Sequence, residues 1–145
     1  MSYVIVKYLH FIGILVLASS LMVEHMQLKA EISAAALKKV ALIDLIYGVA
    51  AGVILVTGLL LAFAVGKPSA FYTANPVFHI KVTLFVLIGL LSIHPTLFLL
   101  RHRNSTAASI TVPKSMVMVV RLEMLLLLII PLLAVMMARG IGLAA

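Results

Sequence analysis

Four long apolar segments, separated by short polar connections, set the pattern of this chain. They run over Tyr3–Met26, Val40–Ala64, Val77–Leu100 and Ser115–Ala138. Each is about 24 residues, or about 36 Å of α-helix, enough to cross the ~30 Å hydrocarbon core of a bilayer. A spanning strand needs only about ten residues with alternating polarity, so strands are excluded on length. The pattern predicts an all-α integral membrane four-helix bundle in which the 145 residues form one four-span domain.

Composition supports the membrane class. The chain is 65% hydrophobic and 10% charged, with a mean hydropathy of +1.30, which is too apolar for a soluble domain of this size. Cysteine is absent, which excludes disulfides, thiolate metal sites and a cysteine nucleophile. The net charge is +7, and the basic residues lie between the apolar segments. This is the usual pattern of membrane orientation signals and not of a face that binds nucleic acid. The lipid bilayer is therefore the predicted partner.

Basic residues predict the orientation. The first and third connections hold six of them and the opposite side holds three, so the positive-inside rule places both termini outside. The six are Lys29, Lys38, Lys39, Arg101, Arg103 and Lys114, and the three are Lys7, Lys67 and Arg139. No Gly or Pro occurs from Glu24 to Lys39, so the first connection is expected to be helical.

Histidines recur at matched positions in the first and third spans. His10 and His25 are fifteen residues apart, as are His79 and His94. Fifteen residues give about 22 Å of rise and about 60° of net rotation, so the two histidines of a span share one broad face. Neutral imidazole is a common axial ligand of haem iron. The spacing predicts b-type haem between these two spans, with His10 and His79 as the outer ligand pair and His25 and His94 as an inner pair.

Simpler roles stand beside these. His25 follows Glu24 and is equally well explained as a residue of the water boundary, and His79 as an interfacial residue. Lys7, one turn from His10, suits a haem propionate or a side chain that reaches the interface. Lys81 lies about 200° around the helix from His79, so one of the two must face away from a shared site.

Two further features have structural explanations. Gly48 and Gly52 have the GxxxG spacing of close helix packing, and the alternative is a smooth face for a flat macrocycle. Asp44 and Arg121 are expected at the same depth in the second and fourth spans, where an ion pair would explain both.

Four short phrases carry a family resemblance. Lys7-Tyr8-Leu9-His10, His79-Ile80-Lys81, His94 at the end of the third span and Arg121-Leu122-Glu123 resemble the HemJ-type protoporphyrinogen oxidases. The chain is also similar to a related family of uncharacterised small four-span bacterial membrane proteins. The resemblance implies haem b bound by His10, His79 and Lys81 with Arg121 nearby, and location in the bacterial inner (plasma) membrane. It also implies an oxidoreductase with a redox partner or a quinone-like or porphyrin-like substrate.

A second functional class remains open. The chain would then be a small membrane transporter or accessory subunit without haem, in which the buried charges form ion pairs. The matched histidine intervals of the first and third spans are the one hint of repeated halves. The small bundle and its GxxxG spacing are compatible with a homodimer.

Overall fold

The four apolar segments form four long helices in a computed structural model, which describes residues 1–143. The all-α membrane bundle is thereby confirmed. In chain order the elements are α1 (Ser2–Gln27), β1 (Glu31–Ile32), α2 (Ala34–Phe63), α3 (Ser69–Thr73), α4 (Pro76–His102), β2 (Ile110–Thr111) and α5 (Lys114–Ala138). The spanning helices are α1, α2, α4 and α5.

The spanning helices surround a narrow core. α1 packs mainly on α2, and α4 mainly on α5, while α2–α4 and α1–α5 contacts close the bundle. α1 and α4 therefore occupy opposite corners. Core side chains such as Leu17, Leu37, Ile88 and Val120 are fully buried, whereas most large apolar side chains face outwards. Because lipid is as apolar as these side chains, their exposure indicates contact with the bilayer.

The prediction of a helical first connection is wrong. α1 ends at Gln27, and Ser33 begins α2 by accepting a hydrogen bond from the Ala36 N–H at 3.2 Å. Between them, β1 pairs antiparallel with β2 from the third connection, with Ile32 opposite Ile110. We call this side of the bundle the strand end. It holds all six basic residues of the first and third connections.

The opposite side, which we call the terminal end, is closed by Asn75. This residue is fully buried and begins α4 by accepting a hydrogen bond from the Val77 N–H at 2.9 Å. Its side-chain amide donates to the Ile141 carbonyl at 3.1 Å. Gly142 has φ +99°, and a Cβ there would lie 2.5 Å from Asn75 Oδ1, so this close approach requires glycine. The turn after α5 is thus fastened to the start of α4.

Close helix packing at the GxxxG pair is not found. A Cβ added to Gly48 or Gly52 would have no neighbouring atom within 4 Å among residues 1–143, so both glycines face open space. The close contact on α1 involves Gly13, whose added Cβ would lie 3.0 Å from Ile54. α2 turns its small-residue face outwards, so the close packing within the chain is made at Gly13 and not at the GxxxG pair.

Candidate functional site

Towards the terminal end, His10 of α1 is half-buried against α2. Its Nδ1 lies 2.8 Å from the Thr57 hydroxyl oxygen. That hydroxyl donates its single proton to the Val53 carbonyl at 2.6 Å, so it must accept from the imidazole. His10 therefore carries its proton on Nδ1, and Nε2 keeps a free lone pair. The arrangement leaves a ring nitrogen that can bind a metal.

The neighbours of His10 fix the position of its ring. A Cβ at Gly58 would lie 3.4 Å from His10 Cε1, so the imidazole packs directly over the backbone of α2. Lys81 of α4 is half-buried and lies within electrostatic range of His10. We call His10, Thr57, Gly58 and Lys81 the His10 site. It joins α1, α2 and α4.

His79 and Lys81 face different surroundings, as their positions on the helix predict. Lys81 is turned towards the bundle, whereas His79 is exposed. His79 Nε2 lies 2.7 Å from the Thr73 carbonyl of α3, to which it donates. Its Nδ1 then keeps the lone pair. Lys81 thus lies within electrostatic range of His10, whereas the ring of His79 is held by α3.

The other predicted site residues are dispersed. Lys7 is exposed and donates to the Tyr3 hydroxyl at 2.8 Å. His94 is exposed and its Nε2 lies 3.1 Å from the Ser115 hydroxyl. His25 is half-buried, and its Nδ1 is buried without a hydrogen-bond partner within residues 1–143. Arg121 is exposed. His94 is thus directed to α5, whereas His25 lies on α1.

Towards the strand end, three helices each contribute a buried carboxyl group. Glu24, Asp44 and Glu123 are 2%, 6% and 1% exposed, on α1, α2 and α5. Thr96 of α4 donates to Asp44 Oδ2 at 2.7 Å. Tyr47, which is 3% exposed, lies within electrostatic range of all three carboxyls. We call Glu24, Asp44, Glu123 and Tyr47 the carboxyl cluster.

Asp44 does not pair with Arg121, so that prediction is wrong. Arg121 is exposed on the outer face of α5, and Thr96 occupies the carboxylate of Asp44. Residues 121 and 123 lie about 200° apart around a helix, and the buried position is taken by Glu123. The Asp44 and Glu123 carboxyls both act electrostatically on Glu24.

Glu123 also has a carboxyl oxygen without a hydrogen-bond partner among the described residues. Its Oε1 is buried and has no hydrogen-bond partner within residues 1–143. Buried polar groups are normally hydrogen-bonded, so an orphaned oxygen marks a functional candidate. In the same part of the chain, no group of three or more His, Asp or Glu residues is arranged to hold a metal ion. Haem iron takes at most two protein ligands, so that result does not bear on it.

The carboxyl cluster was missed, although the sequence contains a signal for it. Glu24 follows Leu17 and Leu21 at the i+7 and i+3 positions of one helix face, and both leucines are 1% exposed. Glu123 has the same relation to Met116 and Val120. Each carboxyl thus continues an apolar stripe into the core, which distinguishes it from a residue at the water boundary.

Glu123→Gln should leave the thermal unfolding midpoint in detergent unchanged or higher. Removing one partner of a buried ion pair costs about 3–5 kcal/mol, but within residues 1–143 Glu123 has no cation partner to lose, and the amide can donate to a neighbouring carboxyl. Differential scanning fluorimetry of the two proteins measures the effect. A destabilisation of about 3–5 kcal/mol would show that Glu123 is paired with a cation.

Comparisons with known proteins add the family. Residues 2–142 match the family described as "Predicted membrane protein (DUF2214)". No curated protein and no solved structure matches the chain. The family description agrees with the four apolar helices and the outward-facing apolar surface. The chain belongs to this family of membrane proteins, DUF2214.

Proposed function

We propose that this protein is a membrane redox protein that binds haem b through Nε2 of His10. The observation that carries the proposal is the hydrogen bond from His10 Nδ1 to Thr57 at 2.8 Å. Histidines that bind metals usually donate their second ring nitrogen to a fixed acceptor, which sets the tautomer and orients the ring. Thr57 is such an acceptor, because its proton is committed to Val53. His10 is therefore prepared as a ligand.

Two lysines suit the carboxylates of a haem. Lys81 is half-buried within electrostatic range of His10, and Lys7 lies one turn from His10 on α1. A cation near the ligand can pair with a propionate. His79 is the proposed second ligand, and to reach a haem at His10 its ring would have to turn from the Thr73 carbonyl of α3 towards α1. When bound, haem would supply one-electron chemistry, whose potential the protein tunes through the axial ligand and its hydrogen bonds.

The finer assignment rests on the HemJ resemblance. The same residues, His10 and Lys81, belong to the phrases that resemble the HemJ-type oxidases, which supports an oxidoreductase. A redox partner, or a quinone-like or porphyrin-like substrate, is the proposed electron donor or acceptor. We propose one haem per chain, at the His10 site, because His94 is held by the Ser115 hydroxyl of α5.

Haemin titration of the purified apoprotein tests the proposal through Thr57. Thr57→Val keeps the shape of the side chain but removes the acceptor of His10, so haemin affinity should fall by about 10–100-fold. Thr57→Ser, which restores a hydroxyl, should recover most of the affinity. The Soret band and the reduction potential should move with the Thr57→Val change, which a merely structural role would not cause. Equal affinity and equal spectra in all three proteins would contradict the proposal.

The carboxyl cluster favours a second candidate function, a small transporter or accessory subunit without haem. Carboxyl groups inside membrane helices mark ion and proton pathways, and Glu123 keeps an unpartnered oxygen. Proteoliposomes containing a pH-sensitive dye distinguish the candidates. Acidification that is abolished by Glu123→Gln and unaffected by His10→Ala would favour transport. Without acidification above empty liposomes, this candidate is rejected.

A further inference from the structure

We propose that a groove between α2 and α4 at the strand end binds an anionic phospholipid. The groove has a volume of about 780 Å³ and opens on the outer surface of the bundle. Lys38, Lys39 and Arg103 line its mouth, and apolar side chains of α2 and α4 line its length. It lies apart from the His10 site, and the inference does not depend on haem.

The mouth is suited to a phosphate group. Lys38 and Lys39 lie in the second turn of α2, and Arg103 follows the end of α4, so the three cations converge where the helices leave the apolar layer. All three side chains are exposed and free to reach a headgroup. Basic residues beside spanning helices attract anionic lipid headgroups.

The floor is suited to an acyl chain. The lining of α2 runs from Ala35 to Val49, about 21 Å of helix, which exceeds half of the ~30 Å hydrocarbon core. Leu45, Val49 and Leu100 provide exposed apolar surface along it. Gly48 adds depth, because no atom lies within 4 Å of where its Cβ would be.

Asp44 also lines the groove but does not oppose a phosphate at its mouth. It lies about 7 Å deeper along α2 than Lys39. Its side chain is 6% exposed and holds a hydrogen bond from Thr96. The negative charge nearest the mouth is thus set back and turned inwards.

Charge also selects the lipid over a second copy of the chain. In a two-fold dimer across this groove, each copy would present the same basic mouth at the same membrane depth. Three cations would face three cations, which is repulsive. A soluble anion would leave the apolar floor of the groove without a partner. An amphiphile with a phosphate and an acyl chain satisfies both parts.

Native mass spectrometry of the full-length protein in detergent, titrated with phosphatidylglycerol or phosphatidylcholine, tests the proposal. The wild-type protein should prefer phosphatidylglycerol. Replacing Lys38, Lys39 and Arg103 with Gln should weaken phosphatidylglycerol binding by roughly 100-fold, at about fivefold per cation. The matched control replaces the other three basic residues of the same end, Lys29, Arg101 and Lys114, with Gln and should keep most of the binding.

A second pair of variants tests the groove by shape. Gly48→Leu should fill the floor and reduce binding of both lipids by tenfold or more, whereas Gly52→Leu, outside the lining, should not. An added Cβ meets no atom within 4 Å at either position, so neither variant should unfold the protein. Equal losses in the two basic triples would overturn the proposal. So would a change from dimer to monomer in Gly48→Leu with lipid binding unchanged, which would identify a self-association surface.

Discussion

His10→Ala is expected to abolish haem binding or to change the haem spectrum strongly. The substitution removes the proposed iron ligand itself, so the loss of affinity should exceed the ~10–100-fold that loss of an outer partner costs. The Thr57 hydroxyl keeps donating to the α2 backbone carbonyls of Val53 and Ile54, at 2.6 and 3.3 Å, so the fold should survive. Haemin titration followed by absorbance measures the effect.

Two controls make the His10 result specific. His102→Ala removes a histidine whose ring stacks on Phe98 and bonds to its carbonyl, and it should leave haem binding unchanged. Lys7→Ala should retain haem with the wild-type spectrum and weaker affinity, because it removes only a propionate partner. If His10→Ala binds haem as the wild type does, His10 is a hydrogen-bonded structural residue and the ligand assignment fails.

Leu37→Ala should destabilise the protein by about 2–5 kcal/mol, the usual cost of a cavity at a fully buried leucine. Leu37 is 0% exposed in the first turn of α2 and belongs to the apolar core that includes Ile32 and Ile110 of the paired strands. This part of the core lies beside the water-exposed connections, where burial also gains from the hydrophobic effect. The cavity should therefore loosen the strand end.

Thermal unfolding in detergent measures the Leu37 effect against a matched leucine of the same helix. Leu55 is 49% exposed on the outer face of α2, and Leu55→Ala should change stability by no more than about 0.5 kcal/mol. Equal midpoints for the Leu37 and Leu55 variants would show that the strand end does not contribute to the stability of the bundle.

Helix length and hydrophobicity were sufficient to predict the fold. A span must satisfy its own backbone in lipid, so about 24 apolar residues leave a helix as the expected outcome. The prediction of a helical first connection was wrong because the structure there depends on a distant part of the chain. The local sequence of the connection lacks Gly and Pro, but β1 pairs with β2 far along the chain, with Glu31 opposite Thr111. Local propensity does not contain that pairing.

The candidate site also has features that the sequence predicts and features that depend on contacts between helices. The face of α1 that carries His10 and the opposed directions of His79 and Lys81 follow from helix periodicity, which one helix determines alone. The Thr57 acceptor and the carboxyl cluster depend on which helices become neighbours. Asp44 and Arg121 were matched by depth, yet α5 turns Glu123 inwards and Arg121 outwards. Depth can be counted along a sequence, but helix rotation is decided by packing.

The reduced-minus-oxidised absorbance spectrum of protein purified from haem-sufficient cells, with the haem-to-protein ratio, tests haem binding at His10 most directly. A sharp b-type band on reduction is expected, at one haem per chain, and His10→Ala should remove or shift it. Colourless protein that also fails to take up added haemin would contradict the haem assignment.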